Sequence, residues 1–375
     1  MNQMRVVFCF DVEDFFSPEE KPLMLETVLF CPVLRWMGMQ MKADGVKRFF
    51  VMCPDAYAKE AAACFDAEDG VIVSANKADL MAFLREDGPV TVLPCAQVPL
   101  ALPGGSSYAY TVEAADLRKA WADEIGGGTF CSEKVTGWTA VYRHSLSETE
   151  LACRDALVKE HMRNGVRVLD PGAVYVDPRV TIGSGTVILP GTILRGRTVI
   201  GRDCEIGPNA MIRDCTVGDC TEVNASQMTE SVVGSHTTVG PFAYLRPNSR
   251  VGDHVKVGDF VEVKNSVIGN GTKISHLTYV GDSDVGEKVN FGCGTVTTNY
   301  DGHRKYRCTI GDNAFLGCNT NLVAPVTIGE GAYTAAGSTI TKDVPADALA
   351  LARTPQTVKE GWAARRRRMY EKKDS

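Results

Sequence analysis

Aliphatic residues recur at every sixth position through the second half of the chain. One run is Ile182, Ile188, Leu194, Ile200, Ile206 and Ile212; a second goes from Val233 through Val239, Leu245, Val251 and Val257 to Val263. A third is Ile310, Leu316, Leu322 and Ile328, with Ile340 two repeats on. Two places before most of them stands a small or β-branched residue: Thr192, Thr198, Cys204, Ser231, Thr237, Ala243, Ser249, Ala314, Thr320, Ser338. A helix needs spacing near 3.6 and an ordinary half-buried strand alternates with period two, so a sustained period of six fits neither. It is a solenoid period. Strands of about six residues, about three per coil, wrap a prism in which aliphatic stacks on aliphatic, and glycines such as Gly183, Gly201 and Gly311 mark its corners. The predicted fold is a parallel β-helix over 169–345.

The pattern ahead of it differs. Residues 4–10, 46–52, 71–73 and 89–95 read as strands, and 22–43, 56–65 and 77–86 as helices, an alternation that argues for a small parallel α/β domain over 1–101. Residues 102–145 are Gly-rich and weakly patterned, and are taken as irregular. A linker helix is expected within 146–168, with Ser147 and Glu150 as a capping box. Residues 346–375 form a C-terminal arm ending in a basic tail. In the solenoid, single-residue slips fall at Ile212 to Val217, Val263 to Ile268 and Val280 to Val285, and the longest break runs from Thr298 to Cys308. That insertion is polar and aromatic, and a loop ejected from a rigid scaffold is where binding function tends to sit.

Composition narrows the field. With 375 residues, 44% hydrophobic, and a net charge of −6, the chain has no overall electrostatic footprint for nucleic acid. The basic run Arg365 to Arg368, with Lys372 and Lys373, reads as a solvated tail. Thirteen cysteines without a CxxC suggest reduced thiols used as small hydrophobes, with Cys204, Cys293, Cys308 and Cys318 at or near packing positions. No apolar stretch approaches eighteen residues and the start is not a signal peptide, so a cytoplasmic protein with no membrane partner is expected.

Candidate chemistry concentrates between 244 and 306. Arg246 and Lys264 follow their aliphatic residues in the corner place usually held by glycine, one coil of eighteen residues apart, and so stack on one edge. The pair suits a phosphate, and equally fits two solvated surface cations. His276 stands at an outward phase, where an imidazole can serve as a general base. His236 and His254 are also one coil apart, but His276 is out of phase with them and no HxxxxH pair occurs, so a metal site is the weaker reading.

The runs VGPFAYLRP at 239–247, VGDFVEVKNS at 257–266, SHLTYVGD at 275–282, VNFGCGT at 289–295, TNYDGHRK at 298–305, LVAPVTIG at 322–329 and ARTPQTVKEGW at 352–362 closely resemble the acetyltransferase half of one family. It is the bifunctional UDP-N-acetylglucosamine pyrophosphorylase/glucosamine-1-phosphate N-acetyltransferase family. The resemblance covers about 145–362. It implies a left-handed β-helix, a homotrimer with intersubunit active sites, and acetyl transfer from acetyl-CoA to glucosamine-1-phosphate on the cytoplasmic route to UDP-N-acetylglucosamine and peptidoglycan. By the same resemblance His276 is the base, with Glu262 and Asn299 beside it. Arg246, Lys264 and Lys305 hold the phosphate, Tyr279 and Asn290 the sugar, and Cys293, Tyr300, Cys318, Ala336 and Arg353 lie on the acetyl-CoA side. Cys293 stands where that family carries Ala and Cys318 where it carries Ser.

The first half departs from the pattern. The family's Gly-rich nucleotide loop is replaced by CFDVEDFF at 9–16, acidic and without glycine, which would repel a triphosphate. Its Mg²⁺-binding Asp corresponds to Gln97 and a second ligand, an Asn, to Val141. About a hundred residues of its sugar-binding half have no counterpart. The expectation is an acetyltransferase whose first domain has lost uridyltransferase activity, Mg²⁺ being needed only if that activity survives. The alternatives are a bifunctional enzyme and a non-catalytic β-helix scaffold.

Overall fold

In the computed structural model of the protein, residues 4–10, 21–122 and 132–371 are described. The acidic segment at 11–16 and Lys372 and Lys373 lie outside them. Two compact units divide the chain, Met1–His236 and Thr237–Ser375.

The first unit opens with a six-stranded sheet. Parallel strands Ile72–Ser74, Arg48–Met52, Arg5–Cys9 and Pro89–Leu93 lie in that order, followed by Tyr110–Glu113 and Ser132–Lys134, both antiparallel. Val6, Val7 and Phe8 are fully buried, as expected where an unbroken apolar run is covered on both faces. The four strands anticipated from the pattern are present, and the sheet is mixed rather than parallel. Its antiparallel edge comes from residues taken as irregular: 102–145 hold two of its strands, helix Ala114–Ala122 and strand Thr139–Ala140. Strand Tyr110–Glu113 buries only Val112 fully and so shows no clean alternation.

Two helix expectations need correction. The helix predicted over 22–43 forms only as Val33–Ala43, because Pro32 fixes its start. The residues before Pro32 form a hairpin, Thr27–Val28 against Cys31–Pro32, turning through Leu29 and Phe30 at φ 46° and 68°. The linker helix, Leu146–Arg163, has Ser145 rather than Ser147 at its N-cap. No capping box forms, because Glu150 Oε1 accepts from the Leu29 amide at 3.0 Å and ties the helix to that hairpin.

From Arg167–Val168 onward the chain winds as a β-helix. The strands are two or three residues long, not about six, since the turns consume the rest of each repeat. Register offsets are eighteen residues per coil, as in Val187 opposite Glu205 and Ile193 opposite Met211, and seventeen at the first slip, Val199 opposite Thr216. Ile188, Leu194, Ile206 and Ile212 are fully buried. The small partners are buried too, and their hydroxyls satisfy corner carbonyls: Thr192 Oγ1 donates to Leu189 O at 2.8 Å and Thr198 Oγ1 to Arg195 O at 2.7 Å. A β-carbon on Gly183 would stand 2.6 Å from the Gly201 carbonyl carbon, so corner glycine answers to the spacing of coils. The left-handed backbone falls two places later, on Asp203, Asn209, Cys220 and His236.

The second unit repeats this construction with two differences. Lys256–Lys264 and Lys273–Gly281 are nine-residue strands that pair along their length, Lys256 opposite Lys273 through Lys264 opposite Gly281. Between Val296–Thr298 and Cys308–Ile310 the chain leaves the ladder as a loop, closed by an antiparallel bridge of Tyr300 and Lys305. Arg307 fastens its return through Asp284 and the Asn265 carbonyl. Cys308, like Cys204 in the first unit, is buried as anticipated, whereas Cys293 and Cys318 are exposed, because both stand in turns two residues beyond the inward aliphatic position. The C-terminal arm carries strand Leu349–Ala350 and the exposed helix Trp362–Glu371, which includes Arg365 to Arg368. No described helix is long and apolar enough to cross a membrane.

Candidate active site

The two long strands position Glu262, Lys264, His276 and Tyr279, and all the candidate acetyl-transfer residues lie within the second unit. Tyr244, Glu262 and Tyr279 stand in one cross-coil row. Arg246 reaches back along it, donating from Nη1 to Glu262 Oε1 at 2.7 Å with its guanidinium 5.9 Å from the Tyr244 ring. The carboxylate raises the arginine's pKa. Glu262 therefore acts on Arg246 first. Lys264 faces Lys305 from the ejected loop; that second ammonium lowers the pKa of Lys264 from 10.5, with burial and Arg246 adding to it. Three cations brought together, offset by Glu262 and in part by Asp282 behind Lys264, still leave a surplus of positive charge that an anion would relieve.

Behind the cations lies a buried amide–carboxylate cluster. Asp282 accepts from the Asn265 and Asn299 side-chain amides on its two oxygens, and Asn299 Nδ2 also approaches the Tyr279 hydroxyl at 3.4 Å. Asn299 is 8% exposed. Its Nδ2 is thus engaged in holding Asp282 and Tyr279. Asp282 escaped the sequence reading, though it stands one slipped coil after Asn265.

His276 projects from the second long strand with 60% of its side chain exposed, and its Nδ1 lies 2.7 Å from Asp259 Oδ1. The two are opposite each other in the ladder. A carboxylate on Nδ1 selects the tautomer that leaves Nε2 as the basic nitrogen, and the imidazole in turn lowers the pKa of Asp259 from 3.8. Asp259 was also missed, and its signal was the seventeen-residue offset of this pair of coils. Successive coils carry the corner onward. Ile274, Phe291, Leu316 and Thr334 are ladder partners in series, so the residues two places after each, His276, Cys293, Cys318 and Ala336, form one column. The backbone bonds Asn319 N to Cys293 O and Gly337 N to Cys318 O, each 2.8 Å, tie its turns. The Arg353 stem passes its far end, 3.8 Å from where a β-carbon on Gly337 would stand.

Two candidates stand apart from the cation cluster in a single chain. Asn290 pairs with Lys273 and Phe315, in the neighbouring row. Tyr300 is exposed in the loop and its hydroxyl donates to Gly302 O at 2.5 Å.

In the first unit the residues at the positions of the family's Mg²⁺ ligands do not fit the ion. Gln97 is fully buried and neutral, its Oε1 accepting from the Tyr108 amide at 2.8 Å. Val141 is a buried apolar residue. A cavity of about 610 Å³ opens at the ends of the parallel strands, and Phe10, Met52, Val92, Tyr110, Leu117 and Trp121 line it without a cation among them.

A family model for bacterial transferase hexapeptide repeats (six repeats) matches residues 179–214, 230–265 and 307–342. A bifunctional GlmU protein of Geobacillus sp. (strain WCH70) is 52% identical over 223 residues, covering 60% of this chain and 49% of that protein. The resemblance is to bifunctional GlmU proteins. A second GlmU, of Caldanaerobacter subterraneus subsp. tengcongensis, is 51% identical over 257 residues, 68% of this chain and 56% of that one. The chain therefore spans about half the length of the curated GlmU relatives it matches. Among solved structures, Arabidopsis UDP-N-acetylglucosamine acyltransferase is 18% identical with a TM-score of 0.32, covering 56% of this chain and 74% of that one. The GlmU-like half is the left-handed parallel β-helix expected from its hexapeptides.

Proposed function

We propose that the chain is a glucosamine-1-phosphate N-acetyltransferase that draws its acetyl group from acetyl-CoA. The observation that carries this reading is the sharing of two long strands by the Asp259–His276 pair and by Lys264, Glu262 and Tyr279. The base stands three strand residues, about 10 Å, from the row of Glu262 and Tyr279, and Lys264 lies two residues further on, a span that an amino-sugar phosphate and two long side chains bridge. The sugar phosphate rests on Arg246, Lys264 and Lys305. Its amine attacks the thioester carbonyl while His276 Nε2 removes the amine proton. The tetrahedral oxyanion, met by an N–H donor, collapses to the amide and expels the coenzyme as a thiolate, which takes a proton. No covalent acyl-enzyme is required. Asp259 holds the imidazole in register, and Asp282 holds Asn299 and Tyr279.

The enzyme works as a homotrimer of cytoplasmic chains, with the coenzyme along the column from Cys293 to Arg353. Phe242, Phe260 and Leu277, 61%, 60% and 59% exposed, support a second copy packing here. All three adopt left-handed backbone, unfavourable for bulky side chains, and the two rings stack at 5.7 Å on the outside of the coil. Asn290 then reaches the sugar of a neighbouring subunit's site. The first domain is a shortened relative of the uridyltransferase domain without that activity, a view supported by Gln97, Val141 and the absence of charge among the described residues that line the cavity.

Two assays on the full chain test this. Glucosamine-1-phosphate with acetyl-CoA releases coenzyme A, and UTP with N-acetylglucosamine-1-phosphate and Mg²⁺ releases no pyrophosphate. Pyrophosphate in the second would restore the bifunctional reading, and silence in both would leave a scaffold.

A further inference from the structure

Of the twelve described cysteines seven are buried and two half-buried, and the exposed ones are Cys220, Cys293 and Cys318. The last two occupy the same corner. Phe291 and Leu316 are ladder partners, each cysteine follows its partner by two residues, and Asn319 N donates to Cys293 O at 2.8 Å. Adjacent coils lie about 4.8 Å apart, within the ~4.4–6.8 Å that a disulfide requires between α-carbons. Both residues stand in turns rather than strands, so the pleat does not dictate where their side chains point. The contrast with the interior thiols is chemical as well as spatial. Burial pushes the Cys153 thiol up to about 12 and those of Cys215 and Cys308 to about 11, which keeps them protonated and inert.

We infer that Cys293 and Cys318 form a reversible dithiol–disulfide site on the corner that begins with His276, closed by exchange with a low-molecular-weight disulfide. The thiolate of one cysteine attacks the small disulfide, forming a mixed disulfide and releasing one small thiol. The second cysteine then attacks the protein sulfur of that adduct and expels the other small thiol. Two S–H bonds of the protein become one S–S bond, the small disulfide becomes two thiols, and excess thiol runs the sequence backward. The functional consequence rests on the proposed coenzyme path: a bridge or an adduct in this column blocks the thioester's approach to His276.

The test treats the reduced full chain with oxidised glutathione under native conditions, followed by alkylation, proteolysis and mass spectrometry without reductant. A peptide pair joining Cys293 to Cys318, two hydrogens lighter than its parts and separated by dithiothreitol, is the expected product. Cys220 carries glutathione only, and Cys318→Ser leaves Cys293 as a glutathione adduct without a bridge. Separate adducts on Cys293 and Cys318 in the unsubstituted chain, or two unmodified thiols beside a modified Cys220, would overturn the inference. Coenzyme A release is measured on the same samples, with a fall of at least about tenfold and recovery on reduction expected. A bridged protein of unchanged activity would leave the disulfide standing and remove the coenzyme path, so the two failures are told apart.

Discussion

The β-helix contains two edges with the same sequence signature and opposite fates. Arg195 and Arg213 follow Leu194 and Ile212 and lie opposite each other one coil apart; Arg246 and Lys264 follow Leu245 and Val263 at the same spacing. In the first edge each cation is absorbed by the protein. The Arg195 guanidinium lies 4.6 Å from the Phe30 ring, and Arg213 Nη2 reaches Glu230 at 3.4 Å. On the second edge the ejected loop delivers Lys305 against Lys264, and the strands extend to nine residues and carry Asp259 and His276 beside it. Stacked cations are thus not a phosphate site by themselves. A third cation that the fold leaves in repulsion, with a base within reach, makes the difference.

The strongest way to break this contrast is to remove the base. His276→Ala should lower the turnover of acetyl transfer by roughly 10²–10⁴-fold. The side chain is 60% exposed, so the melting temperature should hardly move, and a large fall in it would mark the imidazole as a structural element. Asp259→Asn should lower kcat by a smaller factor, on the order of tenfold, with KM unchanged, since it acts through the imidazole. Asp259 is held below 3.8, so its share of the pairing is complete above that pH and is lost only as pH falls through the lowered value. Activity changes between about pH 5 and 8 therefore cannot be assigned to Asp259.

Next in size are the cations themselves. Lys305→Met should raise KM for glucosamine-1-phosphate by roughly 10- to 100-fold, matching about 1.5–3 kcal/mol for a lost charge-assisted contact. Arg195→Met on the first edge should leave KM unchanged and cost roughly 0.5–2 kcal/mol of stability through the lost ring contact. Equal KM effects from the two substitutions would erase the distinction between the edges.

The repeat itself was legible because one side-chain column repeats the same physical demand in every coil: Ile206 and Leu245 must be apolar, Thr192 and Ser249 small, and Gly183 and Gly201 without a β-carbon. The charged candidates were legible as exceptions to that rule, as with Arg246 and Lys264 in glycine's place. Asp259 and Asp282 were not, because their meaning lies in a seventeen-residue offset that only the slipped register creates. The first domain was less readable for a different reason. Pro32 and Glu150 are governed by a hairpin whose left-handed turn at Leu29 and Phe30 has no glycine or asparagine to announce it.

The smallest expected effect is also the one that tests the electrostatic origin of the contrast. Because Lys305 depresses the Lys264 pKa below 10.5, the unfolded chain binds that proton more tightly than the folded one. Folding stability should therefore rise with pH between the lowered value and 10.5 and be lost as pH falls back through the lowered value. Inorganic phosphate, bound between the ammonium groups, should offset the repulsion, raising the melting temperature and flattening that slope. Lys305→Met should abolish both effects, whereas Arg213→Met on the first edge should leave both in place. A phosphate response that survives Lys305→Met would mean that the anion is held elsewhere and that the repulsion at Lys264 is incidental.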